Sequence, residues 1–134
     1  MGNPDIKEML TKYRNIAVVG LSPDPAKPSH GVAAYLKRSG FRIIPVNPAC
    51  RQEILGERCY PSLAEIPGEV DIVDVFRRSE FLPEIAEEAI AKGAKVLWMQ
   101  EGVVNEAAAA KAEAAGLDVV MDRCILKEHS RLSR

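Results

Sequence analysis

The polar residues of this chain that could hold or transform a ligand sit where short apolar runs end. Gly20, Ser22, Lys27, Ser29 and His30 follow Ile16–Val19; Asn47 and Pro48 follow a run closing at Val46; Arg77 and Arg78 follow Phe76; Gln100, Glu101 and Gly102 follow Met99. The first group has the makings of an anion site. An apolar strand, a glycine, a polar loop with a lysine and then a helix start is the arrangement in which α/β sheets hold phosphate, because N–H groups at the helix start point at the anion. Ser29 is the expected cap of that helix, and His30 a first-turn residue at the cleft edge with no carboxylate partner specified for acid–base work.

What the motif lacks narrows the ligand. A dinucleotide turn needs G-x-G-x-x-G, and only Gly20 holds such a position. Pro23, Pro25 and Pro28 stiffen a connection longer than the usual strand-to-helix loop, so the cradle is wider. NAD sites also place an acid at the end of the second strand. Val46, Asn47 and Pro48 stand there instead, which leaves room for a phosphorylated ribose with Lys27 as its counter-charge. The Walker pattern does not occur either. The alternative for this loop is a surface connection with a solvated lysine.

The later strand ends add anion and hydrogen-bonding groups. One of Arg77 and Arg78 is expected to face the cleft, where a guanidinium suits bidentate anion binding; the alternative is a pair with Asp74 or Glu80. Phe76 packs on a flat ligand segment or fills the core. Gln100 and Glu101 suit a ligand hydroxyl or amide, and Glu101 is alternatively a solvated turn residue. Asp122 and Arg123 can pair with each other. Neither G-x-S-x-G nor H-E-x-x-H occurs and no histidine has an evident carboxylate relay, so the residues argue for binding over catalysis.

Alternating elements must position these groups. The spacing predicts an opening helix over Asp5–Lys12, capped by Asn3 or Asp5 with Pro4 near its first turn, then a strand over Ile16–Val19. A helix from Gly31 to Arg38, ended by Gly40, leads to a strand over Phe41–Val46. Between Ala49 and Glu65 the pattern is irregular: a turn at Glu53–Gly56, a short strand at Glu57–Tyr60, and a brief helix or turn opened by Pro61, Ser62 and Leu63. Asp71–Phe76 and Lys95–Met99 are strands around a helix over Glu80–Ala91, capped by Ser79 and closed by Gly93. An alanine-rich helix from Asn105 to Gly116, a strand over Leu117–Met121 and a short basic tail helix over Lys127–Arg134 complete the chain. The alternation predicts one α/β domain over residues 1–134, a Rossmann-like, doubly wound, mostly parallel sheet with helices on both faces. In such a sheet ligands bind at the carboxyl ends of the strands, where the four groups lie.

Composition sets outer limits. The chain has 134 residues, enough to bury one core. Its 18 basic and 19 acidic residues give a net charge of -1, so no electrostatic excess argues for a nucleic-acid or membrane-surface partner. The start lacks the apolar run of a signal peptide, and no stretch approaches the roughly 18–20 apolar residues that span a bilayer, so a cytoplasmic protein is expected. Cys50, Cys59 and Cys124 are widely spaced with no C-x-x-C, which argues against a zinc site or a disulfide framework. An exposed apolar helix face could serve a homodimer, although no heptad pattern demands one.

Several motifs together carry a family resemblance. V-V-G-L-S-P-D-P-A-K-P-S-H-G, I-I-P-V-N-P, I-L-G, V-D-I-V-D-V-F-R, W-M-Q-E-G-V and V-V-M-D-R-C occur in that order between about Lys12 and Glu128. The chain resembles the stand-alone CoA-binding domain proteins, which are similar to the amino-terminal domain of the succinyl-CoA synthetase alpha subunit. The resemblance implies binding of coenzyme A or a short acyl-CoA. It places the ADP part over the first loop and second strand end, at Gly20, Ser22, Lys27, Ser29, Val46, Asn47 and Pro48. The pantetheine then runs past Phe76, Arg77, Gln100, Glu101 and Gly102. Synthetase activity is not expected to carry over, because the phosphorylated histidine of the synthetase belongs to a later domain and works with a beta-subunit partner. The rival expectations are a component of an acyl-CoA transferase or ligase that needs a partner and, less favoured, a nicotinamide-dependent redox protein.

Overall fold

The computed structural model describes residues 5–50 and 52–132. Its elements are α1 (Ile6–Lys12), β1 (Asn15–Val19), α2 (Pro28–Arg38), β2 (Arg42–Val46), β3 (Ile72–Val75), α3 (Leu82–Lys92), β4 (Val96–Met99), α4 (Glu106–Ala114), β5 (Asp118–Val120) and α5 (Ile125–Leu132). The five strands form one open sheet in the order β2-β1-β3-β4-β5, with every pair parallel. The doubly wound α/β expectation holds, and the winding reverses between β1 and β3.

Strand alternation divides the core in two. Ile16, Val18, Ile72, Val96 and Trp98 pack beneath α1, α2 and α5, while Ala17, Val19, Val73, Val75, Leu97 and Met99 pack beneath α3 and α4. Strands covered on both faces must be apolar at nearly every position, which explains the continuous runs. Trp98 is fully buried, and its ring N–H is satisfied by the Arg123 carbonyl at 2.8 Å. Among the described residues no helix is long and apolar enough to cross a membrane.

Local chemistry moves several boundaries. α2 begins at Pro28 rather than Gly31, because proline at a first helical position presets φ and has no N–H to leave unpaired. Lys27 therefore occupies the cap position and Ser29 lies inside the first turn, correcting its expected role as cap. Ser79 does not cap α3 either; it opens a 3-10 turn (Ser79–Phe81), and its hydroxyl accepts from the Val104 N–H at 2.9 Å. The strand expected at Glu57–Tyr60 is reduced to two isolated bridges, Tyr60 with Val46 and Glu57 with Ile54. Pro61, with no N–H to donate, follows at once and stops the pairing. Asp5 caps α1, accepting from the Glu8 N–H at 3.0 Å. Asn3 and Pro4 lie outside the described residues, as do Ser133 and Arg134 of the tail helix. That helix starts earlier than expected, at Ile125, and packs against α1 and α2.

One buried group runs against the apolar pattern. Asp74 stands in register with Val18 and Trp98 in mid-sheet, is 0% exposed, and neither carboxylate oxygen has a partner. Burial pushes its pKa well above the usual carboxylate range. The native state therefore retains a proton that the unfolded chain releases above about pH 4, and stability is lost as pH rises through the folded pKa. Asp74→Asn removes this proton linkage. We expect urea unfolding to show the variant gaining about 1–3 kcal/mol over the parent between about pH 5 and pH 8. Parallel pH profiles for the two proteins would contradict the assignment.

Candidate functional site

The candidate site is built from the end of β1. Gly20 has φ +89°, and its N–H donates to the Val46 carbonyl at 2.8 Å. A Cβ added there would lie 3.1 Å from the Arg77 Cδ and 3.1 Å from the Phe76 carbonyl oxygen. Positive φ and close approach both require glycine. The loop that follows is laced onto α2: the Ser22 N–H donates to the Ser29 hydroxyl at 3.0 Å, and the Ser22 carbonyl meets His30 Nδ1 at 3.0 Å. Asp24 and Ala26 are held by Asx-type and hydroxyl contacts inside the loop. The N-terminus of α2 has no side-chain cap and no acid in its first turn, so its positive end faces outward beside Lys27.

Among the described residues, several hollows follow the carboxyl edge of the sheet. The largest, about 530 Å³, is lined by seven of the expected residues: Gly20, Ser22, Lys27, Ser29, Phe76, Gln100 and Glu101. It also takes in Pro28, Val32, Val103 and Cys124, which the sequence did not single out. Asn47 lies instead in a neighbouring hollow of about 390 Å³ that begins at Pro23, on the other side of the β1–α2 loop. Val46, Pro48 and Arg77 border a third, of about 300 Å³, on the α3 side of the sheet.

Most of the polar side chains have a definite engagement. Gln100 is buried, and its Oε1 accepts from the Ile125 N–H at 3.0 Å, which anchors the start of α5. Glu101 pairs with Lys127 at 3.1 Å. Gly102 does not line the main hollow; its N–H donates to Asp122 Oδ1 at 2.7 Å, and Asp122 therefore holds this turn rather than pairing with Arg123. Arg123 pairs with Glu128 at 3.7 Å. His30 is spent on the Ser22 carbonyl and also stands off the main hollow. Asn47 is spent on the loops: its Nδ2 donates to the Leu21 carbonyl at 3.0 Å and its Oδ1 accepts from the Ala49 N–H at 2.9 Å.

The two arginines are now distinguishable. Strand alternation sends Phe76 to the α2 face and Arg77 to the α3 face, where its guanidinium stacks 4.3 Å from the Phe81 ring centroid. Arg78 is exposed and lies 3.6 Å from Glu80, the alternative pairing raised from the sequence. Arg77 thus faces a hollow, but a different one from Phe76.

The family model described as a CoA binding domain matches residues 14–130. The chain belongs to that family. It is 47% identical to the uncharacterised protein YneT of Bacillus subtilis over 97% of this chain and 98% of that one. A hypothetical protein from Pyrococcus horikoshii OT3 superposes with a TM-score of 0.94 at 43% identity, covering 100% of this chain and 94% of that one. The ADP-forming acetate–CoA ligase II of Archaeoglobus fulgidus is 36% identical over 69% of this chain, which spans only 14% of the ligase.

In this CoA-binding family member, the residues missed from sequence are apolar or small and came from the first turns of α2, the β4–α4 loop and the β5–α5 turn. Cys124 carried the one available signal, its place just after the last strand in a motif of the family. The constraint at Gly20 is testable. Gly20→Val forces a branched side chain into φ +89° and against the end of β3, and chemical denaturation should show a loss of about 2–4 kcal/mol. A loss near zero would mean that the β1–β3 junction is not the tight contact described.

Proposed function

We propose that the chain binds coenzyme A or a short acyl-CoA as a binding module, serving as sensor, carrier or accessory subunit. The observation that carries this reading is the uncapped start of α2, with Lys27 and Ser29 opening onto the 530 Å³ hollow at the point where the winding reverses. Its size suits a ligand segment. The diphosphate would sit at the positive end of α2, with Lys27 placed for the ribose phosphate. The adenine side would extend toward the Pro23 and Asn47 hollow, and the pantetheine would pass Phe76 toward Gln100 and Glu101. Membership of the CoA-binding domain family supports the choice of ligand.

A second reading, a component of an acyl-CoA transferase or ligase acting with a partner, is favoured by the likeness to part of an acetate–CoA ligase. Turnover of an acyl-CoA by the protein alone would move the conclusion there. A nicotinamide ligand fits less well, since the second strand end still offers Asn47 and Pro48 in place of an acid.

Calorimetric titration separates these readings. Coenzyme A is expected to bind about tenfold more tightly than dephospho-CoA, and Lys27→Ala should abolish that difference, as loss of one charge-assisted contact would. Equal binding of the two ligands by the parent protein would remove the role given to Lys27. NAD binding more tightly than coenzyme A would overturn the reading as a whole.

A further inference from the structure

The loop from 47 to 60 is stitched at both ends. At its base the Asn47 N–H donates to the Tyr60 carbonyl and the Tyr60 N–H to the Pro45 carbonyl, each at 3.0 Å. At its tip Ile54 and Glu57 exchange two backbone hydrogen bonds at 3.0 Å, and Lys37 of α2 pairs with Glu57 at 3.0 Å. Cys50 and Cys59 lie on the two limbs between these stitches, as neighbouring thiols. Both are partly exposed, whereas Cys124 is buried. Cys50 also borders the 390 Å³ hollow, so a small molecule can reach it. The backbone on either side is already held: the Cys50 N–H donates to the Asn47 carbonyl at 3.0 Å, and the Cys59 sulfur sits 3.9 Å from the Tyr60 carbonyl oxygen.

We propose that Cys50 and Cys59 are a reversible oxidation site, closing an internal disulfide across the loop by exchange with a low-molecular-weight disulfide. In a reducing compartment such pairs are transient and regulatory rather than structural. Burial and the neighbouring Cys50 push the Cys59 thiol up to about 12, so Cys59 stays protonated. The first attack belongs to Cys50, the thiol that borders the 390 Å³ hollow. Its thiolate displaces one thiol from the small disulfide and forms a mixed disulfide. Cys59 then releases its proton to solvent and attacks the Cys50 sulfur, expelling the second thiol; the nearness of the two thiols on the stitched loop favours this step. The protein loses two hydrogens and the small disulfide gains them. Closure locks the loop that carries Asn47, whose side chain holds the Leu21 carbonyl, so both the β1 and β2 loops feel it. The inference stands whatever the hollows bind.

Oxidised glutathione is the probe. Folded protein is incubated with it, blocked with iodoacetamide, and read by intact mass and peptide mapping. The parent should lose two hydrogens, carry no adduct, show a Cys50–Cys59 crosslink and leave Cys124 as the one alkylatable cysteine after denaturation; dithiothreitol should reverse the change. Cys59→Ser should trap one glutathione on Cys50, while Cys50→Ser should acquire an adduct about tenfold more slowly. A stable adduct on the parent without the crosslink, a crosslink through Cys124, or alkylation of all three cysteines would overturn the proposal.

Discussion

The contact on which the cleft depends is the approach of Gly20 to the end of β3. Because no Cβ intervenes, the backbone after β1 passes within van der Waals range of Phe76 and Arg77. This closeness marks the place where the winding changes direction. One neighbour, Phe76, then falls on the α2 side and the other, Arg77, on the α3 side, so a single glycine sits between two hollows of different character. The positive φ turns the chain outward, and the proline-rich loop returns it to α2 with Pro28 in the first turn.

Most of the polar side chains around that cleft serve the scaffold. Ser22, Ser29 and His30 tie the loop to the helix; Asn47 ties the β1 and β2 loops together; Gln100 anchors α5. Each bond satisfies a backbone group that would otherwise be costly to leave unpaired near the core. What remains for a ligand is chiefly the positive end of α2, the flexible Lys27 side chain, and the apolar walls of Phe76, Val32 and Val103. This division suits recognition of a long, amphipathic molecule better than bond making. The helix dipole attracts charge without side-chain rearrangement, and the apolar walls accept a flexible chain without demanding one register.

Asp74 shows a different economy. An unpartnered acid lies two residues before Phe76 on the face beneath the main hollow, at a register flanked by Val18 and Trp98. In a sheet of this kind the layer above it, Gly20, Phe76 and Gln100, borders the cleft. A buried, unpartnered carboxyl group thus lies two residues before a wall of the candidate site, and burial favours its protonated form.

The sequence by itself determined the parallel α/β class and the order of its principal strands and helices, and it gathered the candidate ligand groups at the carboxyl edge. Apolar periodicity and turn residues are local signals, and Ile16–Val19 or Val96–Met99 can be read without knowing their neighbours. It also brought together seven residues of the largest hollow, since strand ends on one edge must meet. Tertiary structure alone decided the rest. Which of Arg77 and Arg78 faces a hollow depended on the phase of β3 against Phe81. That Ser29, His30 and Asn47 are bound to backbone depended on loops folding over one another, and the meeting of Cys50 with Cys59 depended on stitches at Tyr60 and Glu57. These outcomes are set by packing and by the pairing of backbone groups distant in sequence, for which single-residue types and spacing carry no signal.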